Sequence, residues 1–154
     1  MKPLVTPPEV LDTAFSPYEQ ADSRILNDSR IEAIQLKFLA PVFGKLYPAL
    51  CEGRYPEFTE TYVKPALAYF VKYALIPELT ARTANIGVLR NIPPNGKPAT
   101  AEEIALLRRE TRNTARSLLN KALGYLQENR ASFPEYVPDE HPRSRRSIQG
   151  GIIL

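Results

Sequence analysis

The sequence has one histidine, His141, one cysteine, Cys51, and no glycine-rich phosphate loop. A lone histidine in a proline-rich segment excludes a two-histidine metal site and leaves no catalytic dyad for a folded pocket to enclose. A lone cysteine cannot form an internal disulfide, and no charged-plus-apolar leader opens the chain, so a reducing interior is the expected place of synthesis. Gly150-Gly151 lacks the strand, lysine and following helix that a phosphate loop requires. The carboxylate pair Glu102-Glu103 fits the start of a helix, where acids favour the dipole, and Asp139-Glu140 lies in the terminal arm. Neither reads as an acid–base pair held across a cleft. The apolar stretch from Val63 to Leu79 is broken by Lys64, Pro65, Lys72, Pro77 and Glu78, which is too costly for a lone membrane span. These absences predict a soluble protein that is not an enzyme and holds no cofactor or metal.

A chain of 154 residues makes one domain and can bury roughly 70% of the surface its unfolded form exposes. The net charge of +3 is mild. Its basic residues concentrate in two places, the stripe from Arg108 to Arg116 and the carboxyl-terminal arm. In that arm Pro134, Pro138 and Pro142 oppose regular helix, Arg143, Arg145 and Arg146 supply charge, and Gly150-Gly151 precedes an apolar tip, Ile152-Ile153-Leu154. The reading is a helical domain over 1–131 and an extended arm over 132–154. An apolar terminus is kept where something covers it, so Arg143, Arg145, Arg146, Ile148, Ile152, Ile153 and Leu154 are candidate partner-binding residues; the alternative is a frayed or self-docked tail.

Helix signals fill the rest. Thr6-Pro7-Pro8-Glu9 is a capping box with prolines suited to a first turn and predicts a helix from Pro7 to about Ala14. Ser29 to Glu32 repeats the box, placing a helix start near Arg30. Ile31, Ile34, Phe38, Val42, Leu46 and Leu50 then recur at helical spacing, with Pro41 predicting a kink or break near Ala40 and Gly53 ending the block. The segment from Glu57 to about Thr83 is apolar on most sides. It therefore runs through the centre of a bundle or has a face covered by another subunit, and Pro65 and Pro77 predict two or three pieces. Residues 86–99, with Pro93-Pro94-Asn95-Gly96, read as a protruding loop or small hairpin. Thr100 to Glu103 opens the last helix, which continues to about Ala131. The fold class is all-α, a helical bundle with kinked helices.

On that last helix Arg108, Arg112 and Arg116 follow at four-residue steps with Arg109 beside them. Stacked like charges each disfavour a helix by about 0.2 to 0.5 kcal/mol. The row is either a solvated face softened by Glu102, Glu103 and Glu110, or a surface that meets an anionic partner, acidic side chains or a nucleic-acid backbone. Tyr62, Tyr69, Phe70 and Tyr73 share helical spacing, which core packing explains better than a base-stacking platform. From the residues alone, a small helical nucleic-acid-binding module using the arginines stands as the alternative to a structural assembly protein.

Ile34-Gln35, the stretch Leu39-Ala40-Pro41-Val42-Phe43-Gly44-Lys45-Leu46-Tyr47 with Leu50, Val63-Lys64-Pro65-Ala66-Leu67-Ala68-Tyr69, Ile76-Pro77 and Asn85-Ile86-Gly87-Val88 together resemble small head-tail connector proteins of tailed bacteriophages, also called head-completion or adaptor proteins. The resemblance covers roughly residues 6–126. It implies an all-helical virion subunit, made in the host cytoplasm, that forms a homo-oligomeric ring at the head-tail junction. Such a ring would join the portal protein to the tail or to a second adaptor, extend the DNA channel and need no membrane. Arg108, Arg109, Arg112 and Arg116 would then face a neighbouring subunit or the DNA in the channel. The resemblance does not dictate the Arg-Pro arm, whose role comes from composition alone.

Overall fold

Thr6 caps the first helix as its sequence requires: its hydroxyl accepts from the Glu9 amide, and the Glu9 carboxylate accepts from the Thr6 amide at 2.7 Å. This helix, α1 (Pro7–Ala14), opens an all-α fold in a computed structural model that describes residues 2–17, 19, 21–81 and 100–138, with the backbone of 148–149 and 152–153. The expected loop over 86–99 lies outside the described residues. Helix α2 (Asp28–Phe38) begins two residues before the expected start, because Asn27 rather than Ser29 is the cap and accepts from the Arg30 amide at 3.1 Å. Pro41 does interrupt the chain: α2 stops, and a short α3 (Ala40–Phe43) restarts with the proline in its first turn, where a missing donor costs nothing. Gly44 then turns the chain with a positive φ into α4 (Leu46–Cys51), and Gly53 ends the block at φ 83°.

The two later prolines behave differently from expectation. From α5 (Pro56–Phe58) through α6 (Lys64–Ala81) the chain is one continuous helical run, not two or three pieces. Between them Thr59–Val63 forms a π turn in which the Lys64 amide reaches back five residues to the Thr59 carbonyl. Widening the helix just ahead of Pro65 moves the carbonyl its ring would otherwise strike, so the helix passes through. Pro77 sits on the exposed side of α6, where the carbonyl left without a donor can be hydrated, and the Thr80 hydroxyl bonds the Ile76 carbonyl at 2.8 Å beside it.

Helix α6 is the centre of the bundle. It packs on α1, α2 and α7 (Ala101–Glu128), and Val63, Ala66, Leu67, Ala68, Val71, Ile76 and Leu79 are fully buried. Of the two coverings the sequence left open, the chain supplies its own. Ala66 and Ala68 on α6 and Ala115 and Ala122 on α7 are all fully buried. Polar ties set the outer pieces. The buried Gln35 amide accepts from the Leu4 amide and donates to the Lys2 carbonyl, pinning the amino terminus. Arg30 on α2 pairs with Glu78 on α6, and Lys64 bridges Glu9 and Glu60.

Candidate assembly surface

Helix α7 starts from the Thr100–Glu103 capping box that its sequence announces and, at 1.5 Å per residue, runs roughly 42 Å. Its two halves sit in different surroundings. The second half is covered, with Leu119, Asn120, Ala122, Leu123, Gly124 and Leu126 all buried. In the first half only Thr111 and Ala115 are buried, Ile104 and Leu107 are half-buried, and Leu106 is 44% exposed. The Thr111 hydroxyl bonds the Leu107 carbonyl at 2.7 Å, so its burial leaves nothing unsatisfied.

The arginine row lies on this barer half. Arg108 places its guanidinium 4.6 Å from the centre of the Tyr73 ring, and Phe38 meets the same ring edge-on at 6.2 Å. Arg109, Arg112 and Arg116 are exposed and, among the described residues, make no ion pair. The acids expected to soften the row do not bond it: Glu103 is engaged in the cap, and no arginine of the row pairs with Glu102 or Glu110 among the described residues. Repulsion along the row is thus left to solvent or to a partner.

The first residues expected in the carboxyl-terminal arm belong to the body: Phe133 and Tyr136 are buried in the main core, so the body runs past Ala131. After α7 a single turn, Arg130–Ser132, brings Phe133 onto an aromatic cluster with Tyr55, Phe58 and Tyr125 at centroid distances of 4.7, 5.1 and 6.0 Å. Tyr62 stacks on Tyr125 at 4.6 Å, bearing out a packing role for that tyrosine. Glu135 accepts from the Tyr55 hydroxyl at 2.6 Å and from Arg54 at 2.8 Å, and the Tyr55 bond holds its carboxyl below the ordinary value. Sequence reasoning missed this anchorage, although two aromatics three residues apart on either side of Pro134 were a signal for it. At the tip the backbone is not simply extended: Ile148–Gln149 pairs antiparallel with Ile152–Ile153, matching Ile148 to Ile153. Arg143, Arg145, Arg146 and Leu154 lie outside the described residues.

Two other polar features lie in the body. Lys72, buried on α6, donates to the Ala14 carbonyl at 3.0 Å and to Glu19 at 2.7 Å, with its ammonium 5.0 Å from the Phe15 ring centre. Beside it an open cleft of about 610 Å³ is lined by Leu11, Asp12, Phe15 and Glu19 among others. Near α4, burial pushes the Tyr47 phenol up to about 12 and raises the Cys51 thiol as well. Among the described residues no three His, Cys, Asp or Glu side chains gather where they could share a metal ion, and no helix is long and apolar enough to cross a membrane.

No curated protein and no solved structure matches the chain. A family model matches residues 24–146, from the turn before α2 into the arginine-rich segment. The chain is therefore a member of a family of unknown function, DUF6712.

Proposed function

We propose that this chain is a structural, non-catalytic subunit of a ring at the head-tail junction of a tailed bacteriophage, seated between portal and tail. The reading rests on the connector-like sequence pattern together with one observation. Among the described residues, the first half of α7 packs one face on the body and leaves its outer face exposed, carrying Leu106 and three arginines that make no ion pair. Charges and an apolar side chain set out on a rigid helix suit a surface that another macromolecule covers. The middle helix, already covered by its own chain, supplies no ring face, so the faces must come from the outer helices. The terminal segment, anchored at Phe133 and Tyr136, is the second attachment, and its basic and apolar residues would engage the portal or an adjacent subunit.

Electron micrographs of the protein mixed with portal from its own source test the reading: a ring-shaped cap on the portal is expected, and portal without added density overturns it. A nucleic-acid-binding module is the second reading, favoured by the same arginines. It requires the isolated protein to bind duplex DNA with an affinity that falls steeply with salt.

A further inference from the structure

Of the large apolar side chains of the described body, two stand well exposed, Leu106 on α7 and Leu36 on α2, the latter at 52%. Leu36 continues a row at four-residue steps behind Asp28 and Glu32. Neither acid makes an ion pair among the described residues, although α2 does use Arg30 to reach Glu78. The α7 row Arg108, Arg112, Arg116 has the same step and the opposite sign. Residues four apart on a helix are about 6 Å apart along its axis, and rows of this kind are the ridges that interlock when two helices cross. Each row is what the other lacks, and within one chain they do not pair. Two complementary faces are what a head-to-tail joint between identical subunits requires.

We infer that one copy joins the next by laying the α2 row Asp28, Glu32, Leu36 against the α7 row Arg116, Arg112, Arg108 in the opposite chain sense. The inference rests on the ring reading above and assigns its arginines to the neighbouring subunit rather than to DNA. This sense sets Asp28 at Arg116 and Glu32 at Arg112. Leu36 then meets the stem of Arg108, whose charged end is held over Tyr73, so an apolar side chain meets an apolar stem. The arginines steer the encounter and the leucine is desolvated at its end.

Sedimentation of the full chain at rising concentration is the test, with circular dichroism confirming that each variant is folded. Wild type associates; Glu32→Arg and Arg112→Glu alone each weaken association about ten-fold or more, since like charges now face each other. Mixing the two variants, or combining both changes in one chain, restores it. Single variants that associate as wild type does, or a mixture that fails to recover, overturn this pairing while leaving the ring reading to the portal experiment. A wild-type chain that stays monomeric at its highest attainable concentration also overturns the pairing, and a portal cap seen with that same protein would still uphold the ring.

Discussion

The hydroxyl of Tyr55 donates to the Glu135 carboxylate at 2.6 Å across 80 positions of sequence, tying the turn before α5 to the segment that leaves α7. Tyr55 makes this bond from a left-handed backbone conformation, φ 61°, which a tyrosine adopts only where its surroundings hold it. Tyr55→Phe keeps the ring against Phe133 and removes the bond. Faster amide exchange at Phe133, Glu135 and Tyr136 is expected with the helices unchanged; exchange identical to wild type would show that the ring alone anchors the segment.

Acid should loosen the same place. Glu135 is held below its ordinary 4.5 by the Tyr55 bond first, and Glu9 below the same value by Lys64 first. A carboxyl with a depressed folded pKa contributes stability that is present above its unfolded pKa and lost as pH falls through the folded one. Melting temperature should therefore be insensitive to these groups from neutral pH down to about 5 and fall below about 4.5. Tyr55→Phe should shrink that fall, which thermal melts across pH will measure.

Removing Lys72 alone strands the Glu19 carboxylate in a largely buried site. Lys72→Met is expected to cost about 3 kcal/mol in urea unfolding, whereas Lys72→Met with Glu19→Leu should recover most of it, because a buried pair replaced as a unit is often neutral. A double variant as unstable as the single one would show that the bond to the Ala14 carbonyl matters more than the charge pair.

The Thr59 hydroxyl is buried at the π turn with no hydrogen-bond partner among the described residues. Thr59→Val keeps the shape and removes the unsatisfied group, so a gain of about 1 kcal/mol is expected in the same unfolding measurement. A loss would mean that the hydroxyl is satisfied in solution.

Core and surface leucines should separate cleanly. Leu67→Ala, at the fully buried centre of α6, is expected to lose about 3 kcal/mol. Leu36→Ser should change stability by no more than about 0.5 kcal/mol. A large loss at Leu36 would place it in the monomer's own core.

Local chemistry was legible from the sequence wherever a structure depends on neighbours a few residues apart. The capping boxes at Thr6 and Thr100, the break at Pro41 and the stop at Gly53 each follow from groups within one turn. At α2 two caps competed, and Asn27 won over Ser29. Pro65 and Pro77 do not break the run as the sequence predicts, because a proline's effect depends on whether the helix can widen or hydrate at that point, which a pattern of apolar residues does not reveal. The arginine row is visible in the sequence, but that no acid among the described residues pairs with it is not, since ion pairing depends on side-chain reach.

The sequence by itself determined an all-α chain, its main helices and the positions of its charges, because helix propensity, capping and periodicity are short-range. Only the tertiary structure decided that α6 is wrapped by its own chain, that the first residues of the expected arm belong to the core, and that the outer face of the first half of α7 stands exposed. Those outcomes depend on which surfaces meet across long stretches of chain, and burial is a property of the whole packing rather than of any one segment.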